Sequence, residues 1–221
     1  MYKGLGIIPA AGVGARWGNY PKFLLPCGDR EWMLDRAIRC MPTDKVAVIY
    51  GDETERELYN HVNRCGLMNA VLFARNKNMD LDFWGSMLAG MQYEAEYYYF
   101  TMPDTYIPKE TFLRFDRQRD FVMGVHYADN PTRYGMIRGK RVVNKEDGEP
   151  GLAWGTLGWS KKVRDLWLEA DLKTYTDAIN LAMEKFEHLF VSMEYYYDMA
   201  TWNDYVRFVY HIERLYAMDV P

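Results

Sequence analysis

The sequence IIPAAGVGARWGNYPKFLLP, residues 7–26, decides the fold of this chain. A short apolar run at its start is typical of a buried strand, and the small residues that follow let the backbone turn tightly. In such a turn the N–H groups converge on one point and form a nest that binds anions. Arg16 and Lys22 lie just downstream and can face a polyphosphate from two sides. The stretch therefore predicts a phosphate cradle made of small residues, namely Ala10, Ala11, Gly12 and Gly14.

Two common nucleotide-binding fingerprints do not account for this loop. A dinucleotide fingerprint needs G-x-G-x-x-G, but Trp17 stands where the third glycine should be. The acidic residue of that fingerprint is also missing, because Asp52 and Glu53 come too late in the chain. A Walker loop needs G-x-x-x-x-G-K-[ST], and the sequence contains no such string. What remains is the combination A-A-G-x-G-x-R followed by P-K-x-L-L-P.

This combination resembles the signature of the sugar-phosphate nucleotidyltransferases, in particular those similar to glucose-1-phosphate thymidylyltransferase. The resemblance implies an α/β fold with a Rossmann-like, mostly parallel sheet, helices on both faces and a small mixed β excursion for the sugar pocket. It also implies an enzyme that joins a nucleoside triphosphate to a sugar 1-phosphate and releases pyrophosphate. Mg²⁺ or Mn²⁺ is the implied cofactor. The resemblance extends from the first strand to the last helix.

Composition and charge exclude several other classes of protein. The 221 residues are 49% hydrophobic and 26% charged, which is ordinary for a globular protein, and we expect one domain spanning 1–221. Lys and Arg number 27 against 31 Asp and Glu, so the net charge of −4 provides no basic field for nucleic acid. No apolar run approaches the roughly 20 residues of a membrane helix. Three cysteines without a C-x-x-C pair favour a reducing cytoplasm.

Apolar periodicity after the cradle alternates between helix and strand. Helical spacing over 31–41 and 53–65 alternates with strand-like runs at 45–50 and 70–74. Such alternation with short connections indicates a largely parallel sheet that is covered on both faces. Ligands of these sheets bind at the carboxyl ends of the strands, where the cradle already lies.

A polar loop over 76–83 precedes a helix that opens with small residues at Gly85 and Ser86. In the family that this chain resembles, a G-[TS]-x-x-A helix start abuts the nucleotide base, which implies nucleotide contacts for these two residues. The same loop contains Asp80-Leu81-Asp82, a D-x-D triplet of the kind that holds a metal in glycosyltransferases. Acidic residues before a helix also favour its dipole, which is the simpler interpretation of the triplet.

Two aspartates are the candidate metal ligands. Asp104 follows an aromatic strand over 96–102, and Asp198 follows an apolar run over 189–197 that we predict to be the last strand of the sheet. Both carboxylates are then expected at the same edge of the sheet as the cradle. Carboxylates and phosphate oxygens suit Mg²⁺, so we predict that Asp104 and Asp198 share one ion and act in catalysis with Arg16 and Lys22.

The residues after Asp198 resemble the D-x-G-T-x-x-[DS] motif of the same family, with Ala200 in place of the usual glycine. Thr201 and Asp204 are spaced as a capping box, which predicts a helix that starts at Trp202.

The acceptor pocket is implied by the resemblance alone. The segment 129–137 resembles the P-x-x-Y-G segment of the family, which implies that Tyr134 and Gly135 form a pocket wall. Lys145 is the candidate lysine for the acceptor phosphate, and Gly155 lies in the small-residue strand that follows.

In the implied reaction an acceptor phosphate oxygen attacks the α-phosphorus of the nucleotide. The nucleophile is already an anion near neutral pH, so no general base is required and positioning carries the rate. The histidines show no ligand spacing and are interpreted as structural: His61, His126, His188 and His211. The alternatives left open are a cytidylyltransferase for a polyol or choline phosphate, a metal-dependent glycosyltransferase, and a nucleotide-binding protein without turnover.

Overall fold

The structure is a computed structural model that describes residues 1–28 and 31–218. Its strands are β1 (Tyr2–Pro9), β2 (Lys45–Tyr50), β3 (Val71–Arg75), β4 (Ala95–Phe100), β5 (Thr105–Tyr106), β6 (Phe121–Ala128), β7 (Gly135–Arg138), β8 (Arg141–Asn144), β9 (Gly151–Ser160), β10 (His188–Ser192) and β11 (Tyr197–Asp198). Its helices are α1 (Met33–Cys40), α2 (Glu55–Arg64), α3 (Asp82–Met91), α4 (Lys109–Leu113), α5 (Lys161–Glu169), α6 (Tyr175–Lys185) and α7 (Trp202–Met218). The predicted segments between the cradle and residue 75 are all present: the strand 45–50 has its predicted ends, and the ends of the others differ by one or two residues.

The main sheet is mostly parallel, as predicted. Its strand order is β10-β6-β9-β4-β1-β2-β3 among the residues described. Pairs β4–β1, β1–β2, β2–β3 and β6–β10 are parallel, whereas β9 runs antiparallel to both β4 and β6. The antiparallel hairpin β7–β8 attaches to β9 through Met136 and Ala153 and forms the small mixed β excursion.

The strand order reverses at β1, and this reversal creates the crevice for a ligand. From β1 the chain moves to β2 and β3 on one side, then returns to β4 on the other side of β1. In open α/β sheets the loops diverge at such a switch point and leave a crevice beyond the carboxyl ends of the strands. The cradle follows β1 and Asp104 follows β4, so both flank this crevice.

Hydrophobic cores lie on both faces of the sheet because successive residues of a strand point to opposite faces. Tyr98 and Phe100 of β4 pack into one core, which α3, α5 and α6 cover. Tyr97 and Tyr99 pack into the other, which α1, α2 and α4 cover. The aromatic run 97–100 is therefore a buried strand, and its rings contribute to the core rather than to an exposed stacking surface.

A third, smaller core lies outside the sheet. It joins Trp17 and Leu25 of the cradle loop to Met199 and to Phe208 and Ile212 of α7. Segments from the two ends of the sequence therefore pack together beside the crevice.

The predicted last strand, 189–197, is wrong in its extent. Strand β10 ends at Ser192, and Asp198 lies in β11, which pairs antiparallel with β5 in a separate two-stranded sheet. The cause lies in β9, where Gly155 has no side chain: a Cβ there would lie 2.3 Å from the ring of Tyr196 and 2.7 Å from Met193. The segment after β10 fills that space, and it leaves the sheet before it reaches Asp198.

None of the helices, over the part of the chain described, is long and apolar enough to cross a membrane.

Candidate active site

The cradle loop turns at Gly14, which adopts a left-handed backbone conformation with φ of 70°. The carbonyl of Gly14 accepts hydrogen bonds from the N–H groups of Trp17 at 2.7 Å and Asn19 at 3.2 Å. A Cβ on Gly14 would lie 2.0 Å from the carbonyl oxygen of Tyr20, so a side chain is excluded there. Gly12 differs, because a Cβ on Gly12 would meet nothing within 4 Å. The turn needs Gly14, whereas Gly12 leaves open space in front of the backbone.

The loop is fastened at Trp17, which is buried in the third core. The indole Nε1–H donates to the carbonyl oxygen of Ala200 at 3.1 Å, and the ring packs on Trp202 at a centroid distance of 4.2 Å. Trp17, which stands where a dinucleotide fingerprint has its third glycine, therefore anchors the loop. It links the cradle to the segment that carries Asp198.

Lys22 and Asp104 form an ion pair at the centre of the crevice. Lys22 lies in a 3₁₀ turn, Lys22–Leu24, and its Nζ donates to Oδ2 of Asp104. Asp104 is buried, and its carbonyl oxygen accepts from the N–H of Met199 at 3.0 Å. This main-chain bond holds β5 against β11 and brings Asp104 next to Asp198.

Asp198 is bonded to Arg133, a site residue to which no motif in the sequence points. The guanidinium Nη2 donates to Oδ2 of Asp198 at 3.2 Å. Burial, and next the charge of Asp104, raise the pKa of Asp198 above its ordinary value, while Lys22 and Arg133 oppose that shift. Both carboxylates line the same cavity and their charges interact, and Asp198 reaches this place from β11.

Asp204 fixes Arg133 from the other side. Two hydrogen bonds of 3.1 Å join the guanidinium to the carboxylate of Asp204. The same carboxylate accepts from the N–H of Thr201 at 2.9 Å, and Thr201 Oγ1 accepts from the N–H of Asp204 at 3.3 Å, so the predicted capping box starts α7. Burial works to lower the pKa of Arg133, but the bonds to Asp204 and the nearby negative charges outweigh burial and raise it.

Two cavities meet at this cluster. One, of about 430 Å³, is lined by the cradle, by Asn76 and Ser86 and by Pro103. The other, of about 410 Å³, is lined by Asp198 and by the β7–β9 region. Their linings share Arg16, Lys22, Phe83, Met102 and Asp104. A ligand in each cavity would place its end beside the same two cations and the same carboxylate.

Nearly all the predicted site residues line these cavities. The cradle-side cavity contains Ala10, Ala11, Gly12, Gly14, Arg16, Lys22, Ser86 and Asp104. The second cavity contains Tyr134, Gly135, Lys145, Gly155 and Asp198 together with the three shared charged residues. Residues that the sequence analysis did not select also line them: Asn76, Phe83, Arg133, Trp154 and Tyr175.

Gly85 is not among the described residues that line either cavity. The space that a side chain of Gly85 would need is filled by neighbouring residues of the protein. A Cβ on Gly85 would lie 2.2 Å from the carbonyl oxygen of Asn78 and 2.8 Å from Oδ1 of Asn76. The small residue lets the loop after β3 pack onto α3, and Asn76 Nδ2 then donates to Ser86 Oγ at 3.2 Å. Its neighbour Ser86, with Asn76, forms the wall of the cradle-side cavity.

The D-x-D triplet lies elsewhere. Asp80 is exposed in a 3₁₀ turn, Met79–Leu81, and is in neither lining, whereas the side chain of Asp82 falls outside the described part of the structure. The backbone of Asp82 begins α3, which fits acidic residues at a helix start.

The second cavity has cations and aromatic walls. Lys145 directly follows β8 and has a φ of 52°, a conformation that is uncommon for a residue with a side chain. Its N–H donates to the carbonyl oxygen of Tyr134 at 3.0 Å. Gly135 lies against Trp154, because a Cβ on Gly135 would be 2.2 Å from its Nε1. Phe83 stacks on Tyr175 at 3.8 Å. The arrangement combines charge for an anion with flat apolar surfaces.

Asp104 and Asp198 have the chemistry of a hard-cation site. Lys22 and Arg133 each donate to Oδ2 of one carboxylate, and no hydrogen bond among the described residues reaches Oδ1 of either. Two interacting carboxylates that line a cavity match the ligands that Mg²⁺ takes from proteins, which are one or two carboxylates with phosphate and water. These residues therefore fit the implied ion.

Known proteins resemble this chain in structure. No family model and no curated protein matches its sequence. A UDP-glucose pyrophosphorylase complexed with UDP-glucose aligns with a TM-score of 0.77 and 18% identity over 97% of this chain and 99% of that one. The UDP-glucose pyrophosphorylase of Acinetobacter baumannii gives a TM-score of 0.73 and 16% identity over 96% and 93%. The inositol-1-phosphate CTP transferase of T. maritima gives a TM-score of 0.68 and 14% identity over 92% and 91%. The chain therefore has the fold of the sugar-phosphate nucleotidyltransferases, as its cradle signature predicts.

Proposed function

We propose that this chain is a nucleotidyltransferase that joins a nucleoside triphosphate to a sugar 1-phosphate and releases pyrophosphate. One observation carries the proposal: two cavities of similar volume share Arg16, Lys22 and Asp104 along their border. A reaction between two phosphate groups needs both anions held beside common positive charge. A single binding site would not need a second, separately lined cavity at that border.

The cradle-side cavity binds the triphosphate in this proposal. The backbone from Ala10 to Gly14 lines it, and Gly12 leaves room for a phosphate to approach the N–H groups closely. Arg16 is exposed at the border and free to reach phosphate oxygens. Asn76 and Ser86 form the wall where the base would lie.

The second cavity binds the acceptor. Lys145 and Arg133 supply positive charge for its phosphate, and Arg133 is held in place by Asp204. The rings of Trp154, Phe83 and Tyr175 supply a flat wall for the apolar face of a sugar ring.

The chemistry needs no proton acceptor among the lining residues. The acceptor phosphate is an anion near neutral pH, and its oxygen attacks the α-phosphorus in line with the departing pyrophosphate. No histidine is among the described residues that line either cavity. Lys22 and Arg16 stabilise the charge that develops on the phosphates, which is the main contribution available to this site.

Asp104 and Asp198 would hold Mg²⁺ or Mn²⁺ in this proposal. When bound, the ion neutralises phosphate charge and orients the reacting phosphates. Lys22 already neutralises Asp104 in the structure, and Lys22 lines both cavities, where a bound phosphate would compete for its ammonium group. We therefore expect the ion to bind weakly until nucleotide supplies further oxygen ligands.

The test is pyrophosphate release from a panel of nucleoside triphosphates, each mixed with sugar 1-phosphates and Mg²⁺. We expect release with one matched pair and none when the acceptor is omitted. Arg16→Ala should lose turnover, whereas Arg39→Ala, which removes an exposed arginine of α1 outside both cavities, should keep it. Equal turnover in the two variants would contradict the proposal.

A second candidate is a cytidylyltransferase for a polyol or choline phosphate. The resemblance to an inositol-1-phosphate CTP transferase over 92% of this chain favours it, as does the aromatic wall, whose π faces attract a quaternary ammonium. The same panel separates the two functions if it includes CTP with inositol, ribitol and choline phosphates.

A further inference from the structure

A buried cluster of three potential metal ligands lies outside the two cavities. Asp35 of α1 and His61 of α2 are each 2% exposed, and Cys65, which caps α2, is half-buried beside them. Their ligand atoms, one from each residue, all lie within 4.8 Å of one another. The proposed nucleotidyl transfer uses none of the three.

We propose that Asp35, His61 and Cys65 form a site for a transition-metal ion of the Zn²⁺ type, with its fourth position open to water or another ligand. The donor set is an oxygen, an imidazole nitrogen and a sulfur, which is a combination that Zn²⁺ takes in proteins. A carboxylate and a thiolate also match the charge of a divalent ion.

The distances bring the ligand atoms together and show which of them must move. A tetrahedral ion with the usual Zn–N and Zn–S bond lengths holds those two atoms about 3.6 Å apart, and Sγ of Cys65 lies 3.7 Å from Nε2 of His61. Sγ also lies 4.0 Å from Nδ1, so the thiol is beside the imidazole ring and must rotate toward Asp35 to meet an ion in the plane of the ring. The same geometry requires about 3.4 Å between nitrogen and oxygen, whereas Oδ1 of Asp35 lies 2.8 Å from Nε2 in a hydrogen bond. Binding the ion therefore replaces this hydrogen bond and moves the carboxylate by about 0.6 Å.

The helix α2 places two of the ligands suitably. His61 and Cys65 are four residues apart, so they lie on the same face of the helix. They also lie at its C-terminal end, where the unpaired carbonyl groups favour a cation. The ring of Trp32, at 5.2 Å from that of His61, packs on the imidazole and limits its movement.

Proton balance follows from the ligand atoms. Binding releases the thiol proton of Cys65 to solvent, and the proton on Nε2 of a neutral His61 moves to Nδ1. The guanidinium of Arg64 lies 3.5 Å from Nδ1, and because Arg64 is exposed it can turn into solvent when Nδ1 becomes a donor. The half-buried thiol leaves a route for the ion to reach the site.

The test is titration of the purified, metal-free full chain with Co²⁺, which has a thiolate-to-metal charge-transfer band in the near ultraviolet. We expect one equivalent to produce the band in the wild type, and Zn²⁺ to remove it by replacement. Cys65→Ser should abolish the band, whereas Cys27→Ser, which changes a buried cysteine outside the cluster, should retain it. Failure of the wild type to give the band would overturn the proposal, and so would a band that survives in Cys65→Ser.

Thermal unfolding gives a second readout that does not depend on nucleotidyl transfer. Zn²⁺ should raise the midpoint of wild-type unfolding by several degrees, because an ion that binds only the folded state stabilises it. The midpoint of His61→Ala should not respond. A wild-type midpoint that does not change with saturating Zn²⁺ would also refute the site.

Discussion

The two glycines of the cradle should respond to alanine in opposite ways. Gly14→Ala forces a side chain into a left-handed conformation, which costs roughly 1–2 kcal/mol, and sets its Cβ 2.0 Å from the Tyr20 carbonyl oxygen. Relief of that overlap must shift the backbone, so we expect a total loss of about 3 kcal/mol. For a chain of this size each kcal/mol lowers the unfolding midpoint by about 2–4 °C, so the midpoint should fall by roughly 6–12 °C.

Gly12→Ala should leave the fold intact and impair nucleotide binding. Its Cβ meets nothing within 4 Å, and replacing a glycine in a compatible conformation stabilises by about 0.4–1 kcal/mol through the unfolded chain. The same methyl group would occupy the space in front of the cradle N–H groups. We expect the KM for the triphosphate to rise at least about tenfold, which is about 1.4 kcal/mol of lost binding.

Differential scanning fluorimetry and steady-state kinetics on the two variants decide the matter. If Gly12→Ala has the wild-type KM for the nucleotide, phosphate does not approach this part of the backbone. If Gly14→Ala unfolds at the wild-type temperature, the left-handed turn is not required.

The other predictions concern four side chains. Arg16→Ala should lower kcat by on the order of 10² to 10³, and near wild-type kcat would remove Arg16 from the reaction. Lys145→Ala should raise the acceptor KM more than it lowers kcat, so an unchanged acceptor KM would exclude it from the pocket. Asp198→Asn should abolish most turnover but should not lower the unfolding midpoint at pH 7. A carboxyl group whose pKa is raised in the folded state makes the folded protein less stable as pH rises through that pKa, so removing its charge should cost no stability at pH 7. A lower midpoint would contradict this. Burial lowers the pKa of His126 to about 4, so between about pH 6.5 and pH 4 the unfolded chain takes up a proton that the folded protein does not. The free energy of unfolding of the wild type should therefore fall by up to about 3 kcal/mol over that range. In denaturant titrations over the same range, His126→Phe should lose less of its free energy of unfolding.

Local patterns were sufficient to predict most of the fold. The strand over 45–50 is predicted with its observed ends, because a continuous apolar run is bounded by polar residues and Gly51. The capping box at Thr201 was also predicted correctly, since its two side chains interact with backbone groups of the same turn. Both features depend on residues close together in the sequence.

Features that depend on distant contacts were not predictable in the same way. The path to Asp198 depends on Tyr196 filling the space above Gly155, about forty residues earlier in the chain. Arg133 gains its role only because Asp198 and Asp204 come to it from another segment. Asn76 carries no motif, and its place in the cavity wall follows from the close packing of its loop on Gly85.

The packing of Trp17 against Ala200 and Trp202 has a consequence for synthesis of the protein on the ribosome. The cradle leaves the ribosome before the segment 199–212, which supplies side chains that enclose its anchor. The loop can therefore take up its fastened conformation only after that later segment has emerged. A ribosome stalled before α7 would carry a cradle whose Trp17 lacks its contacts with Trp202, Phe208 and Ile212.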